Sequence, residues 1–333
     1  MARTAPETIP DPRLTDESRG LLLGLLGVVI FAATGPLTKL AVGSMDAPQL
    51  SPWFVTFGRA AVAGGLSLIY LLVQACVDFS GAVPVTPKGR EWGLLGLTAL
   101  GVVVGFPLFL AFALRFVPST HSAVVTGLLP LATAAVAALW FRQRPSQAFW
   151  SCALLGTGLV LAFMVLRSAD SAGHLSVHVA DVFLLVAMLC AAVGYVSGAR
   201  LTPSLGAERV ICWALVLSLP VTLPMAWVHW PAGYTKVASA SWWAFGYLAV
   251  LSMWLGFFAW YRGLAIGGAV RVSQTQLVQP FLSLLMAVPL LGERLDGVTL
   301  GFGLAVVATV FVSKQLSVHR PSTAPEQSQR TLT

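Results

Sequence analysis

Long apolar runs of about twenty residues recur along almost the whole chain, from Gly20 to Leu316. A helix of about 20 apolar residues is long enough to cross the hydrocarbon core of a bilayer. The sequence lacks the alternation of polar and apolar residues that is typical of a membrane barrel. Only 10% of the residues are charged, whereas soluble domains carry about a quarter. The sequence therefore predicts an all-α membrane protein that crosses the bilayer many times.

Ten transmembrane helices fit these runs. We place them at 20–42, 52–75, 92–114, 118–141, 147–166, 179–199, 209–228, 242–262, 268–291 and 297–316. Residues 1–19 are polar and contain three prolines, without the basic start and short apolar stretch of a signal peptide. Residues 317–333 are also polar, and we expect them to be disordered. Both segments are predicted to be tails outside the membrane.

The basic residues are distributed unequally between the two sides of this topology. With a cytoplasmic N-terminus, four lie on the outer side, namely Arg115, Arg167, Lys236 and Arg294. Fourteen lie on the inner side, namely Arg3, Arg13, Arg19, Lys88, Arg90, Arg142, Arg144, Arg200, Arg209, Arg262, Arg271, Lys314, Arg320 and Arg330. Because cytoplasmic loops are enriched in lysine and arginine, both termini are predicted to be cytoplasmic. The net charge of +7 is then explained by the basic cytoplasmic loops and by attraction to anionic membrane lipids. We therefore expect no binding to nucleic acid.

The second half of the chain resembles the first half at a constant offset in the numbering, which indicates an internal repeat. The matching pairs are Trp92 and Trp242, Gly96 and Gly246, Leu114 and Leu264, Pro130 and Pro280, Arg144 and Arg294, and Leu154 and Leu304. Each repeat contains five predicted helices. Because five is odd, the second repeat enters the membrane from the opposite side. Transporters built from such inverted repeats bind substrate between the repeats near the midplane, although a channel can be built from repeats too.

Two segments resemble a known family, the EamA-type branch of the drug/metabolite transporter superfamily. LVQPFLSLLMAVPLLGERLDGVTLGFGLAVVATVFV, from Leu277 to Val312, is similar to the closing pattern of that family, and GRAAVAGGLSLI, which contains Arg59, is similar to its second helix. The first half departs from the pattern, because Arg142–Gln143–Arg144 stands where the family often has Gly-Glu-Arg. The resemblance implies two five-helix repeats at 20–166 and 178–316. It also implies a carrier in a bacterial inner membrane, often an exporter of amino acids or other small metabolites.

A polar stripe marks the fourth helix of each repeat. In the second repeat it consists of Ser273, Gln276, Gln279, Pro280 and Ser283, which fall within about 120° of arc on a helical wheel. The equivalent face of the first repeat carries Ser119, Ser122, Thr126, Pro130 and Thr133. Polar side chains that face lipid are unfavourable, so we expect the stripes to line a cavity. The alternative is that they only hydrogen-bond to neighbouring helices.

The two prolines and several aromatic residues extend this site. Pro130 and Pro280 interrupt their helices near the middle, which predicts hinges; a simple kink is the alternative. Trp254 and Tyr261 belong to an aromatic run on the eighth helix. We predict Trp254 as an apolar cavity wall and Tyr261 as a further substrate contact, whereas a packing or interfacial role is the alternative for both.

Arg59 lies about seven residues into its helix, too deep for its side chain to reach the interface easily. An arginine at that depth predicts either a contact with an anionic group or hydrogen bonds to carbonyls between helices. Lys39 lies near a helix end, where snorkelling to the interface is expected. No aspartate or glutamate falls in the central third of any helix, so proton coupling would need His121, a carboxylate at a helix end such as Asp181, or the substrate itself.

These observations together predict a transporter of a small polar or amphipathic metabolite such as an amino acid. Gln276 and Gln279 would hydrogen-bond the solute with help from Thr126, and a facilitator or exchanger fits the missing carboxylates better than a proton antiporter. A channel-like pore is the alternative. The sequence has no phosphate-binding loop, metal cluster or nucleophile constellation, so we expect neither an enzyme nor a cofactor. A monomer and a homodimer are both compatible with it.

Overall fold

The computed structural model of this chain describes residues 12–77, 86–140, 147–168, 179–267 and 272–318. Most of the two predicted tails lies outside these ranges, as does the segment Arg142–Gln143–Arg144. Within the described residues every predicted span coincides with helical structure, and the helices extend beyond the predicted spans by a few residues at most of their ends. At the first helix the difference is larger, because α1 begins at Pro12.

The first half of the chain, up to Ser168, contains eight α-helices in the described residues. They are α1 Pro12–Ala32, α2 Thr34–Val42, α3 Pro52–Val77, α4 Glu91–Thr98, α5 Phe106–Phe116, α6 Ser119–Thr126, α7 Leu129–Trp140 and α8 Gln147–Ser168. A π-helical segment, Ala99–Gly105, joins α4 to α5 without a break. The two residues Gly127 and Leu128 form a turn between α6 and α7.

The second half, from Val179, is organised in the same way. Its α-helices are α9 Val179–Leu205, α10 Ala207–Val228, α11 Ser239–Tyr247, α12 Gly256–Gly267, α13 Gln279–Leu291 and α14 Gly297–Val318. A π-helical segment, Leu248–Leu255, joins α11 to α12. Two 3₁₀ segments complete this half, Tyr234–Lys236 between α10 and α11 and Ser273–Val278 directly before α13.

Seven helical stretches are long and apolar enough to cross a membrane among the described residues. They are Ser18–Val42, Pro52–Cys76, Glu91–Phe116, Ser119–Trp140, Val179–Leu205, Ala207–Val228 and Ser239–Gly267. Three shorter apolar helices accompany them, at Trp150–Leu166, Thr275–Leu291 and Gly297–Val312. A helix satisfies its own backbone hydrogen bonds, which lipid cannot do. This explains why so apolar a chain is helical almost throughout its described part.

The two π-helical segments occupy matching positions in the two halves. The N–H of Phe106 donates to the carbonyl of Gly101, and the N–H of Gly256 donates to the carbonyl of Leu251. Both bonds span five residues, and Phe106 and Gly256 are separated by the same offset as Pro130 and Pro280. A π-turn inserts one residue into a helix and is frequent at functional sites. The repeat found in the sequence is therefore also present in the backbone.

The long helices pack in pairs that join the two halves. The pairs are α1 with α12, α3 with α10, α6 with α13, α8 with α14, and α9 with the continuous stretch from α4 to α5. Between α1 and α12 the contact is made by glycines, since a Cβ added at Gly263 would lie 2.6 Å from the backbone nitrogen of Gly24. Gly20, Gly24, Gly263 and Gly267 form two facing small-xxx-small motifs, which allow backbones to approach closely. We call these four residues the glycine seam.

Gly292 ends α13, and the residue that follows it, Glu293, lies at the N-terminus of α6. Gly292 has a φ of 68° and donates its N–H to the carbonyl of Val288 at 2.9 Å. Glycine is favoured at this left-handed position because it has no Cβ. Glu293 follows directly, and its carboxylate accepts hydrogen bonds from the N–H groups of Ser119 at 2.7 Å and Thr120 at 2.8 Å. The turn after α13 thereby caps the N-terminus of α6 in the other half.

Candidate functional site

A cavity of about 480 Å³ lies between the two halves of the chain. Its wall is formed by residues of α1 to α3, both π-helical segments, α5 to α7, α9, α12, the second 3₁₀ segment and α13. Ligand pockets typically measure about 300–1,000 Å³, so this volume suits a small organic solute. The lining reaches Ala137 and Leu264, each within one turn of the end of its helix.

The structure brings seven of the eight predicted site residues together in this cavity. They are Arg59, Thr126, Pro130, Tyr261, Gln276, Gln279 and Pro280. Ser122, Thr133 and Ser283 of the two polar stripes line it as well. The side chains of Ser273 and Gln274 lie outside the described residues, so their predicted directions are not assigned.

Trp254, which was predicted as a cavity wall, is not among the residues that line the cavity. Its ring packs against Phe258, with the ring centroids 5.1 Å apart, and Phe258 in turn contacts Tyr70 of α3. The cavity is lined instead by the preceding residue, Met253. Consecutive residues of a helix point about 100° apart, so the depth of Trp254 in the membrane did not determine which way it points. Phe257 and other aromatic residues form the apolar wall.

Sequence reasoning missed Thr34, Tyr195 and Ser252, which all line the cavity. The hydroxyls of Thr34 and Ser252 are 2.8 Å apart and join α2 to the second π-helical segment. The counterpart of Ser252 in the first repeat, Val102, lines the cavity too, but this apolar residue gave no signal for the site in the sequence. The polar stripe of one helix was therefore too narrow a basis for the whole site.

The Arg59 guanidinium is buried in the cavity wall, with 3% of the residue exposed. Its Nη2 donates to the Ser252 hydroxyl at a long 3.4 Å, and its Nε has no hydrogen-bond partner among the described residues. No described carboxylate lies within ion-pair distance of it. Tyr195 is close enough to interact with it electrostatically.

The hydroxyls of α6 and α7 face the cavity as hydrogen-bond acceptors. Ser122, Thr126 and Thr133 each donate to a backbone carbonyl three or four residues earlier, at 2.7–2.8 Å. A hydroxyl has one hydrogen to donate and two lone pairs. These three oxygens therefore keep acceptor capacity for a solute.

Both helices that carry a polar stripe are irregular where they line the cavity. A turn at Gly127 and Leu128 precedes Pro130, and the 3₁₀ segment Ser273–Val278 precedes Pro280. Proline has no N–H to donate to the preceding turn, and such interruptions supply polar backbone groups to substrate sites in transporters. The predicted helix interruptions are thus observed, while hinge motion stays a prediction.

Polar contacts cluster at the end of the bundle that the cavity does not reach. We call this region the closed end; it comprises Lys39, His121, Asp181, Glu293 and the crevices around them. The ammonium group of Lys39 donates to the carbonyls of Leu114 at 2.6 Å and Val117 at 3.2 Å. Lys39 therefore caps the C-terminus of α5.

His121 and Asp181 form the most deeply buried side-chain contact of the closed end. Nε2 of His121 lies 2.7 Å from a carboxylate oxygen of Asp181, and the two residues are 7% and 1% exposed, respectively. The imidazole also packs on the ring of Phe163. His121 belongs to α6 and Asp181 to the first turn of α9, so this pair joins the two halves. The sequence suggested neither the pairing nor the burial of both groups.

Comparison with known proteins decides the family. The model of the EamA-like transporter family matches residues 18–166 and again residues 178–314. These two matches cover most of the chain and correspond to its two halves. The chain belongs to the EamA-like transporter family. It is therefore a transporter in the general sense, and a multi-pass membrane protein. Membership confirms the resemblance found in the sequence.

Individual relatives of this EamA-like chain carry general names. An uncharacterized transporter, YdeK of Bacillus subtilis (strain 168), is 36% identical over 300 residues, which is 90% of this chain and 98% of that protein. An uncharacterized transporter, YyaM of the same organism, is 23% identical over 75% of this chain and 79% of that protein. A solved crystal structure matches with a TM-score of 0.59 at 18% identity, over 90% of this chain and 98% of that one. That likeness supports the fold alone.

A short segment of the EamA-like chain also resembles a protein described as propanediol uptake facilitator PduF, of Salmonella typhimurium. The two are 35% identical over 79 residues, which is 21% of this chain and 30% of that protein. The match is thus confined to less than a third of that relative.

Proposed function

We propose that this protein is a secondary transporter that moves a small polar or amphipathic metabolite by alternating access. The observation that carries the proposal is a cavity that both halves share and that does not reach the closed end of the bundle. Alternating access needs a central site that opens to one side of the membrane at a time. A cavity that extends toward one end, below a polar network that joins the halves at the other end, suits one of the two required states.

In this proposal the ten helical stretches all cross the membrane, as two inverted five-helix repeats. Three of these stretches are shorter than the other seven. The pairing of the helices supports counting these three as membrane-spanning as well. Exchanging the two repeats means replacing each helix by its counterpart in the other repeat. The pairs α8 with α14 and α6 with α13 are then unchanged. The pair α1 with α12 becomes the pair of α9 with the α4–α5 stretch, which is also observed. The matched π-turns support the same relation. The unequal distribution of basic residues supports cytoplasmic termini, and the family resemblance supports a bacterial inner membrane.

The solute is held by hydrogen bonds on one wall and by apolar contact on another. Gln276 and Gln279 each offer an amide with two donors and an acceptor, and Thr126 and Tyr261 add hydroxyls. Phe257 and other aromatic side chains cover the remaining wall. A few polar groups within an apolar lining are typical of small-molecule sites. This combination favours an amphipathic solute such as an amino acid, with outward transport as the proposed direction.

Replacing either glutamine with leucine is expected to weaken binding of the solute. One neutral hydrogen bond contributes about 0.5–1.5 kcal/mol, so each variant should raise the Kd about threefold to tenfold. The purified protein is screened with a metabolite library for an increase in Tm, because a ligand of the folded state raises Tm. Hits are then titrated against Gln276→Leu and Gln279→Leu.

Gln147→Leu provides the matched control, because Gln147 is exposed at the start of α8 and away from the cavity. It should bind the same hits as the wild type. The site assignment fails if both cavity variants keep the wild-type Kd. A wild-type protein that no metabolite stabilises would count against a solute site altogether.

A channel for small solutes is the second candidate, since one segment resembles the propanediol uptake facilitator. A channel needs a path that is open at both ends at once. The hydrogen bonds of the closed end oppose such a path in this structure. The carrier therefore fits the geometry better.

A further inference from the structure

Arg59 carries the only formal charge among the residues that line the described cavity. Among the described residues, the lining contains no aspartate, glutamate, lysine or histidine. The other polar side-chain groups of the described lining are hydroxyls, the amides of Gln276 and Gln279, and the indole N–H of Trp260. The interior of the cavity is therefore electropositive, which favours an anionic group and disfavours a cation.

The guanidinium lacks the partners that a purely structural arginine would have. A guanidinium has five N–H donors in a planar fork, and the only hydrogen bond found for it among the described residues is the long one to Ser252. Its Nε is buried without a partner in the same part of the chain. Burying a charge without a partner is strongly unfavourable, so the missing counter-charge is the observation that points to a ligand.

The surroundings of Arg59 strengthen an interaction with an anion. Phe31, Val102 and Met253 line the same cavity, and an apolar environment raises the strength of charged hydrogen bonds. The planar fork of arginine matches the two oxygens of a carboxylate. The long bond to Ser252 uses one donor of Arg59 among the described residues, which leaves the other donors available to the solute.

We propose that Arg59 recognises the anionic group of the solute, and that the transported class is small organic carboxylates with an apolar body. This inference rests on the proposed transport function, whose site it specifies. The carboxylate binds the guanidinium as a bidentate pair, and the apolar body lies along Phe257 and Phe31. A zwitterion belongs to this class, with its ammonium group directed to the acceptor oxygens of Ser122, Thr126 and Thr133.

The first test is the stability of the protein without solute. Arg59→Gln removes an uncompensated buried charge and should leave the Tm unchanged or raise it, because replacing a buried charge by a neutral group is often stabilising. An arginine that held helices together would lower the Tm when it is removed. Arg262→Gln is the control, since Arg262 is exposed and pairs with Glu208, and it should leave the Tm close to that of the wild type. A marked fall in the Tm of Arg59→Gln overturns the proposal.

The second test uses probes of equal shape and different charge. Benzoate, benzamide and benzamidinium form one set, and hexanoate, hexanamide and hexylammonium form another. Thermal stabilisation is expected from the two carboxylates, weakly from the amides and not from the cations. Arg59→Gln should raise the Kd of the carboxylates about tenfold to a hundredfold, as expected for a charged hydrogen bond, whereas Arg59→Lys should retain part of the affinity because it keeps the charge.

The outcomes separate this proposal from the transport function itself. Equal stabilisation by carboxylates and amides, or none by the carboxylates, would overturn anion recognition. A neutral solute that stabilises the wild type but not Gln279→Leu would still support the transport site. Carboxylate binding that is unchanged in Arg59→Gln would also overturn the proposal, since it would place the anion elsewhere.

Discussion

Replacing His121 with leucine is expected to lower the free energy of unfolding by about 3–5 kcal/mol, because it removes the imidazole that contacts a buried carboxylate. Asp181 lies 2.7 Å from the imidazole, and neither residue is more than 7% exposed. Leucine also fills the space against Phe163 without offering a hydrogen bond. The Tm and the unfolding midpoint in denaturing detergent measure the change. The purified variant should melt well below the wild type.

The double variant distinguishes an ion pair from simple packing. Replacing both partners of a buried pair by apolar residues is often neutral, so His121→Leu with Asp181→Leu should recover a large part of the lost stability. A double variant that loses the sum of the two single effects would show that the contact between His121 and Asp181 contributes little. A wild-type melting curve for His121→Leu alone would show that the pair does not hold the closed end.

Replacing Gly263 with alanine is expected to lower the free energy of unfolding by about 1–3 kcal/mol, in the range of overpacking effects. The new methyl group would meet backbone atoms of Gly24 and Gly20 in α1, and backbone cannot rotate away as a side chain does. The intrinsic helix preference of alanine over glycine acts in the opposite direction. A decrease in Tm therefore reports the close approach of α1 and α12.

Gly301→Ala is the matched control for the glycine seam. Gly301 lies within α14, and a Cβ added there has nothing within 4 Å. This variant should be as stable as the wild type or slightly more so, by the same helix preference. Equal behaviour of the two variants would contradict the packing of α1 against α12 described above.

Hydrophobicity and periodicity were sufficient to predict the helices and the repeat. The predicted spans agree with the helices because lipid leaves an apolar segment of this length no other regular structure. The match of Pro130 with Pro280 correctly located two helix interruptions. The two π-turns left no signal in the composition, since the inserted residue is accommodated by packing. Their matching positions are explained by the constant offset between the repeats, which was known from the sequence.

The sequence pointed to candidate residues that share one face of a single helix. It did not point to contacts between side chains of different helices. Gln276 and Gln279 share a face that periodicity reveals. His121 and Asp181 lie on different helices, far apart in the sequence, so only the fold brings them together. The direction of Trp254 could not be predicted for a related reason, because depth in the membrane does not fix which face of a helix a residue occupies. Arg59 was identified by depth alone, but its missing partners became visible only in the structure.

The measurement that tests alternating access most directly compares two positions on α6 by the side from which they react. Thr120 lines a crevice of the closed end, whereas Thr126 lines the cavity less than two turns away. The four cysteines of the chain are all free, so they are replaced by alanine. Thr120→Cys and Thr126→Cys are then introduced singly into the reconstituted protein. A membrane-impermeant thiol reagent is applied to each side in turn.

Under alternating access the two cysteines should react rapidly from opposite sides of the membrane. Thr126→Cys should react from the side of Thr120 only slowly, at the rate at which the closed end opens. Immediate reaction of Thr126→Cys from both sides would contradict alternating access and favour a channel. Failure of Thr126→Cys to react from either side would contradict an accessible cavity.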